Sequence, residues 1–254
     1  LEVILNEIND DIPIYVIGVG SNILIRDGGY KGLIIKLGKS FNELTLEEDY
    51  IKVGASILDA NLAKYAYEKS LKGFEFFSGI PGSIGGAVKM NAGCYGSETK
   101  DVIKEISIFN NNGIKKILNS TNIDFSYRNS DLLDTDIVTN AKFKAEIGSK
   151  EEIDLKIKNI RSNRENSQPL KTKTGGSTFK NPKNNFAAKL IEMSNCKGLS
   201  EGGIFVSNKH ANFLVNKQEG TATQIEELGN KIISRVYDKF KIKLEWEIKI
   251  IGQE

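Results

Sequence analysis

The stretch Gly79-Ile80-Pro81-Gly82-Ser83-Ile84-Gly85-Gly86-Ala87-Val88-Lys89-Met90-Asn91-Ala92-Gly93 decides the fold. Five of these fifteen residues are glycine, and Gly96 lies at the far edge of the same loop. Glycine weakens helices and strands, so a chain keeps it where the backbone turns with positive φ or touches a ligand directly. The N–H groups of such a loop form a concave anion site, the usual seat of a pyrophosphate. Ile80, Ile84, Ala87, Val88 and Met90 are too apolar for a solvated linker.

Upstream, Ile14 to Ile17 reads as a short buried strand. It empties into Gly18-Val19-Gly20-Ser21-Asn22, followed by a second apolar run, Ile23 to Ile25, and then Gly28-Gly29. A strand that opens into Gly-x-Gly is a second candidate nucleotide loop. It is not the Rossmann fingerprint, because the third glycine is missing and a strand follows instead of a helix. Two glycine loops suit the two halves of a dinucleotide. Before them, Leu1, Ile4, Leu5 and Ile8 have helical spacing without a capping residue in front. The sequence is therefore expected to begin inside a helix, with an earlier segment of the binding domain absent.

The remaining elements follow from period and punctuation. Leu33 to Leu37 and Ile51 to Val53 read as strands. Ser56 and Asp59 read as a capping box for a helix with Leu58, Leu62, Tyr65 and Ala66 on one face, ended by Gly73. Ile103 to Phe109 and Ile114 to Leu118 flank Asn112-Gly113, a hairpin signal. Ile137 to Ile147 alternates as a half-exposed strand. Ser149 and Glu152 cap a helix with Ile153, Ile157 and Ile160 on one face, and the polar stretch 161–174 reads as linker-like. Ala187 to Met193 is helical. Ile204 to Val206 and Asn212 to Asn216 are strands, and a capping box at Thr221 and Gln224 opens a helix faced by Ile225, Leu228, Ile232 and Val236. Leu244, Trp246, Ile248 and Ile250 alternate as a last strand, with Glu245 and Glu247 sharing one face; the pattern does not choose between the two glutamates. The domain boundary is placed at 148/149.

Composition bounds the function. The chain has 254 residues, 39% hydrophobic and 27% charged, with 35 Lys and Arg against 33 Asp and Glu. A net charge of +2 gives no broad attraction for nucleic acid. No apolar run reaches the length of a membrane helix and no secretory signal is visible. Cys94 and Cys196 read as free thiols, which suits a reducing cytoplasm. His210 is the single histidine. A zinc site would have to draw on both cysteines, His210 and a scattered carboxylate, so no metal is expected. No Gly-x-Ser-x-Gly elbow accompanies His210 to make a hydrolase triad. It reads as a binding or packing residue. Gly175-Gly176-Ser177-Thr178-Phe179-Lys180-Asn181-Pro182 offers a hydroxyl, a cation and an amide beside two glycines, with a plain serine turn as the alternative.

Four segments, in order, resemble the UDP-N-acetylenolpyruvoylglucosamine reductase (UDP-N-acetylmuramate dehydrogenase, MurB) family. They are Val16 to Asn22, Gly79 to Gly86 with Asn91-Ala92-Gly93, Tyr127-Arg128, and Gly176 to Pro182. The ending Leu244 to Gly252 is similar to the family's last strand. The resemblance spans nearly the whole chain. It implies an α+β protein: an FAD-binding domain of the vanillyl-alcohol-oxidase type over 1–148, N-terminally incomplete, and a smaller α/β substrate-binding domain over 149–254. Arg128 and Ser177 stand only 49 positions apart. That leaves little room for the extra tyrosine loop of one branch, so the chain resembles the shorter branch.

The resemblance also implies the chemistry. The family reduces the enolpyruvyl ether of UDP-N-acetylglucosamine enolpyruvate to the lactyl ether of UDP-N-acetylmuramate for peptidoglycan. NADPH reduces FAD, and the reduced flavin passes hydride to the substrate. Negative charge then builds beside the substrate carboxylate, where a cation and an acid stabilise it. Arg128 matches the family's arginine, Glu247 its glutamate and Ser177 its proton donor. Gly18, Gly20, Ser21, Asn22 and Ile23, with Gly79, Ile80, Pro81, Gly82, Ser83, Gly85, Gly86, Ala87, Asn91, Ala92 and Gly93, are the implied cofactor contacts. Tyr127, Lys180, Asn181 and His210 are the implied substrate contacts. A cytoplasmic monomer without nucleic-acid or membrane partners is expected. Two rivals stay open: an FAD-dependent oxidase of the same fold acting on an alcohol or sugar, and a nucleotide-binding module without catalysis. The position of His210, in the presumed substrate domain, counts against a flavin tethered through histidine. A binding module has no need of Arg128, Ser177 and Glu247 together.

Overall fold

The structure, a computed structural model, describes residues 1–8 and 11–254. Its contacts gather into two compact units. The first comprises 1–19 and 32–163, the second 20–31 and 164–254. The chain crosses from one to the other after Val19, returns after Lys31 and crosses again after Asn163, inside a helix.

The first unit is built on a five-stranded antiparallel sheet. Its strand order is Leu44–Glu47, Tyr50–Gly54, Ile137–Lys144, Ile103–Phe109 and Lys115–Asn119. The strand expected to be half-exposed is the middle one: Ile137, Val138, Thr139, Ala141 and Phe143 are all buried. A central strand is covered on both faces, which an alternating pattern with small polar residues does not announce. The edge strand Leu44–Glu47 was not foreseen, because three of its four residues are exposed. At the other edge, the Asn112-Gly113 turn forms as read. Gly113 has φ +67°, and the Asn110 carboxamide oxygen accepts from the N–H groups of Asn112 and Ile114.

Among the described residues, four α-helices belong to this part of the chain. They are α1 (Glu2–Glu7), α2 (Asp59–Glu68), α3 (Ile84–Lys89) and α4 (Lys150–Ser167). The buried face of α2 is Leu62, Ala63 and Ala66, which joins Ile51, Val53, Ile84, Val88 and Ile106 in one core. Within it Phe74 stacks on Phe77, and both meet Phe143 edge-on, at ring separations of 5.8–6.4 Å. The expected cap at Ser56 does not form: α2 starts two residues later than a Ser56 cap requires, with Leu58 at the cap position, and the Ser56 hydroxyl donates to the Gly38 carbonyl. Its left-handed stop is Ser70 (φ 54°), three residues before Gly73. In α4, Ser149 accepts from Glu152 N–H as expected, and Ile153, Ile157 and Ile160 are buried. The helix continues to Ser167, so the first part of the linker-like stretch is helical.

The second unit contains α5 (Ala187–Met193) and α6 (Ala222–Phe240) with an antiparallel sheet of Ser200–Glu201, Ile204–Val206 and Leu214–Asn216. Leu190, Ile191, Ile204, Leu228, Ile232 and Val236 form its core with Phe179. The box at Thr221 and Gln224 forms reciprocally. A second, long-range cap reinforces it. The Asp27 carboxylate accepts from Ala222 N, Thr223 N and Thr223 Oγ1 at 2.7–2.9 Å. These hydrogen bonds, the Thr223 hydroxyl first, hold the Asp27 carboxyl below its ordinary value. Arg26 adds a bidentate pair to Glu226 at 2.8 and 2.9 Å. The last strand is shorter than its alternation implied, Lys249–Ile251, and pairs in parallel with Ile23–Ile25. Residues before it are irregular, and Trp246 packs on Phe179 with ring centroids 5.0 Å apart.

Trp246 also closes over α6. A Cβ placed on Gly229 would lie 2.1 Å from the indole ring. Gly229→Ala is expected to destabilise by about 1–3 kcal/mol through overpacking, against the gain alanine usually gives a helix interior. Urea unfolding of the two proteins measures it, and an alanine variant as stable as the parent contradicts this packing.

Candidate active site

Each unit carries its own set of candidate residues. In the first unit the two glycine loops meet: a Cβ on Gly18 would lie 2.5 Å from Ser83 Oγ. The glycines of the 79–93 stretch serve close approach, and none of them has positive φ. A Cβ on Gly82 would meet Asp59 Oδ2 at 2.5 Å, and one on Gly85 would meet Ala55 Cβ at 3.1 Å. Their first neighbours are thus this chain's own atoms. Gly85 N donates to Ala55 O and Ile84 N to Ile57 O, which lays α3 on the sheet. Asn91 is fully buried at φ 41°. Its carboxamide donates to Ser126 O and to Glu98 and accepts from Lys100 N, each at 3.0 Å. Ser130 Oγ donates to Lys89 O at 2.8 Å.

These bonds fix the small hairpin Phe125–Ser126 and Asn129–Ser130 against the glycine stretch. Its two-residue turn is Tyr127-Arg128. Arg128 is held left-handed at φ 57°, a conformation that non-glycine residues occupy at a cost and that collects at functional sites. Its guanidinium stands 5.0 Å from the Tyr127 ring centroid. The first unit thus carries Gly18, Gly79, Ile80, Pro81, Gly82, Ser83, Gly85, Gly86, Ala87, Asn91, Ala92, Gly93, Tyr127 and Arg128.

The second unit carries Gly20, Ser21, Asn22, Ile23, Ser177, Lys180, Asn181, His210 and Glu247. Gly175 lies against Ile248, 2.9 Å from a built Cβ to its side chain, and Gly176 turns at φ +83°. Thr178 N donates to Asn212 O, and Glu247 N donates to Thr178 O, both at 2.8 Å. Ser177 therefore precedes the residue that holds Glu247. Asn22 Nδ2 donates to Glu247 O at 3.1 Å, so the end of the first glycine loop is stitched to the same segment. Glu245 points elsewhere. Its carboxylate is 76% exposed and stands 3.8 Å from Lys180 Nζ, whereas Glu247 is half-buried. Asn181 Oδ1 accepts from Ala187 N, the first residue of α5. His210 Nδ1 accepts from Asn212 N at 3.3 Å, and its ring meets Phe213 edge-on. Burial, with Lys197 adding to it, lowers the pKa of His210.

Two family models match this chain: an FAD binding domain over residues 2–117 and the C-terminal domain of UDP-N-acetylenolpyruvoylglucosamine reductase over 168–251. UDP-N-acetylenolpyruvoylglucosamine reductase of Parvibaculum lavamentivorans is 43% identical over 95% of this chain and 78% of its own length. The chain belongs to the UDP-N-acetylenolpyruvoylglucosamine reductase family. The enzyme of that name from Caulobacter vibrioides is 42% identical over 98% of this chain and 84% of its own. The crystal structure of UDP-N-acetylenolpyruvylglucosamine reductase from Thermus caldophilus superposes with a TM-score of 0.85 at 34% identity, covering 95% of this chain and 86% of that one. The fold is accordingly an FAD-binding domain followed by the reductase family's C-terminal domain. No helix among the described residues is long and apolar enough to cross a membrane.

The donors fit the cofactor that the first family model names. Among the described residues, the N–H groups of Gly20, Ser21 and Gly86 have no main-chain acceptor, and a Cβ on Gly86 would meet nothing nearer than Ser83 Oγ at 3.9 Å. Uncommitted N–H groups beside bare backbone suit phosphate oxygens.

Two buried polar residues beside the candidate residues escaped the sequence reading. Asn212 clamps the serine segment: Phe179 N donates to its Oδ1 at 3.0 Å, and its Nδ2 donates to Phe179 O at 2.8 Å. The signal was a polar residue inside the apolar run Ala211 to Val215. Asp59, read as part of a cap, is fully buried under Gly82. Neither carboxyl oxygen has a hydrogen-bond partner among the described residues. Burial pushes this carboxyl well above the usual carboxylate range, and the Gly82 main chain offsets it in part without reaching hydrogen-bond geometry.

The sign of the consequence is fixed by linkage. Above the ordinary value of about 3.9 the unfolded chain loses this proton while the folded chain keeps it. Stability then falls as pH rises, by about 1.4 kcal/mol per unit, until the raised folded pKa is reached. Asp59→Asn is expected to remove that slope, so that the variant gains on the parent from acid towards neutral pH. Urea unfolding of both proteins across pH 4–8 measures the difference; parallel profiles contradict it.

Proposed function

We propose that this chain reduces the enolpyruvyl ether of UDP-N-acetylglucosamine enolpyruvate to UDP-N-acetylmuramate, a cytoplasmic step of peptidoglycan synthesis, with NADPH as the reductant. The observation that carries the reading is the hydrogen bond from Glu247 N to Thr178 O. It sets the glutamate of the final segment beside Ser177 in a chain of this family. The cofactor would be held by Gly18, Gly20, Ser21, Ile23, Gly79 to Ser83, Gly85, Gly86, Ala87, Ala92 and Gly93. Bound FAD supplies the hydride, taken from NADPH and delivered to the terminal carbon of the enolpyruvyl double bond.

The side chains do the rest. Hydride addition leaves negative charge on the adjacent carbon and its carboxylate. Arg128 meets that charge with a cation, and Glu247, as the acid, donates a hydrogen bond to the carboxylate. Ser177 Oγ gives its proton to the adjacent carbon, forming the new C–H bond, and water restores the hydroxyl. A serine is a weak acid, so placement decides its efficiency. The clamp from Asn212 and the left turn at Gly176 supply that placement. Lys180, Asn181, His210 and Tyr127 are assigned to the substrate. Burial, which lowers the pKa of His210, favours the neutral ring, and that form suits a hydrogen bond and not an ion pair.

Anaerobic NADPH oxidation tests this reading. Consumption that depends on the enolpyruvyl substrate, with a product heavier by two hydrogens, supports it. Consumption driven by oxygen and an alcohol, with no use of the enolpyruvyl ether, overturns it in favour of an oxidase.

A further inference from the structure

The resemblance assigns Asn22 to the cofactor. Within the second unit its hydrogen bonds run to the last segment of the chain. Asn22 Nδ2 donates to Glu247 O at 3.1 Å, and the Asn22 carbonyl accepts from Lys249 N at 3.0 Å. On the other side, Glu247 N donates to Thr178 O at 2.8 Å. Both peptide groups of Glu247 are thereby fixed, one by the residue after Ser177 and one by a side chain 225 positions away. The segment that bears Asn22 is itself immobilised. Ile23–Ile25 pairs with Lys249–Ile251, Arg26 N donates to Ile251 O, and Gly28 N and Gln253 N complete the seam through Gln253 O and Gly29 O. Arg26 and Asp27 then anchor it to α6 through Glu226 and the helix start.

We propose that Asn22 is a positioning residue for substrate reduction, setting the backbone of Glu247 so that its carboxyl is aimed at the reacting group. The inference rests on the catalytic reading of Glu247. Loss of the Nδ2 donor lets that backbone relax while leaving the cofactor's own donors in place. A displacement of about 1 Å costs roughly 10²-fold in a step that depends on alignment.

The test is a double-variant cycle on the FAD-loaded enzyme, with Asn22→Ala, Glu247→Gln and the pair. Asn22→Asp is carried alongside, because it keeps the size of the side chain and replaces the donor with an acceptor. Three quantities are read: FAD affinity by fluorescence, the rate of flavin bleaching by NADPH, and the rate of recolouring by substrate. In both Asn22 variants, recolouring is expected to slow roughly 10- to 100-fold, with FAD affinity and bleaching little changed. In the Glu247→Gln background, Asn22→Ala is expected to add almost nothing. Weakened FAD affinity with normal recolouring makes Asn22 a cofactor ligand and overturns the proposal. Losses that multiply in the pair show that Asn22 acts apart from Glu247 and overturn it equally. Normal recolouring in Glu247→Gln alone removes the catalytic reading beneath it.

Discussion

Replacing Ser177 with alanine is expected to leave bleaching of the bound flavin by NADPH at its normal rate and to slow recolouring by substrate by roughly 10²–10⁴-fold. The split follows from where the proton is used. Reduction by NADPH needs no proton at substrate carbon, whereas substrate reduction cannot finish without one. Ser177 is half-buried beside Gly176, and the next two residues are held by Asn212. Removing one hydroxyl therefore leaves the surrounding backbone in place, and FAD affinity is expected to stay unchanged. A stopped-flow comparison of the two half-reactions measures the effect. Unchanged recolouring removes Ser177 from the mechanism; slowed bleaching shows that the variant has disturbed the cofactor instead.

The second large effect separates two glutamates that the alternation of the last segment leaves equivalent. Glu247→Gln is expected to slow recolouring roughly 10²-fold, the usual cost of losing one group aimed at developing charge. Glu245→Gln is expected to change it by less than about fivefold, because an exposed ion pair contributes about 0–1 kcal/mol. The structure supplies the distinction. Glu245 is largely in solvent near Lys180, and Glu247 is half-buried with its peptide held on both sides. A large loss in Glu245→Gln with a small one in Glu247→Gln reverses the assignment.

What could be read in the sequence is what local chemistry encodes. The box at Thr221 and Gln224, the Asn112-Gly113 turn and the face Ile153, Ile157 and Ile160 all depend on residues within eight positions of each other. They formed as read. The joint occurrence of the glycine stretches, Tyr127-Arg128 and the serine segment carried the family. The misreadings share a different cause. Ser56 bonds back to Gly38, 18 positions upstream, instead of capping the helix that follows it. The alternation from Leu244 to Ile250 comes from Trp246 packing on Phe179 and not from a long strand. Asp27 capping α6, Asn22 on Glu247 and Asn212 on Phe179 join residues 33 to 225 positions apart, and no window of sequence contains such pairs. Asp59 was invisible for the same reason: its importance lies in Gly82 above it.

The most direct test of the central claim is an anaerobic visible spectrum of the purified protein, first with NADPH and then with UDP-N-acetylglucosamine enolpyruvate. The account predicts a yellow protein that bleaches on the first addition and recolours on the second. A protein that bleaches and stays colourless when the enolpyruvyl substrate arrives would contradict it.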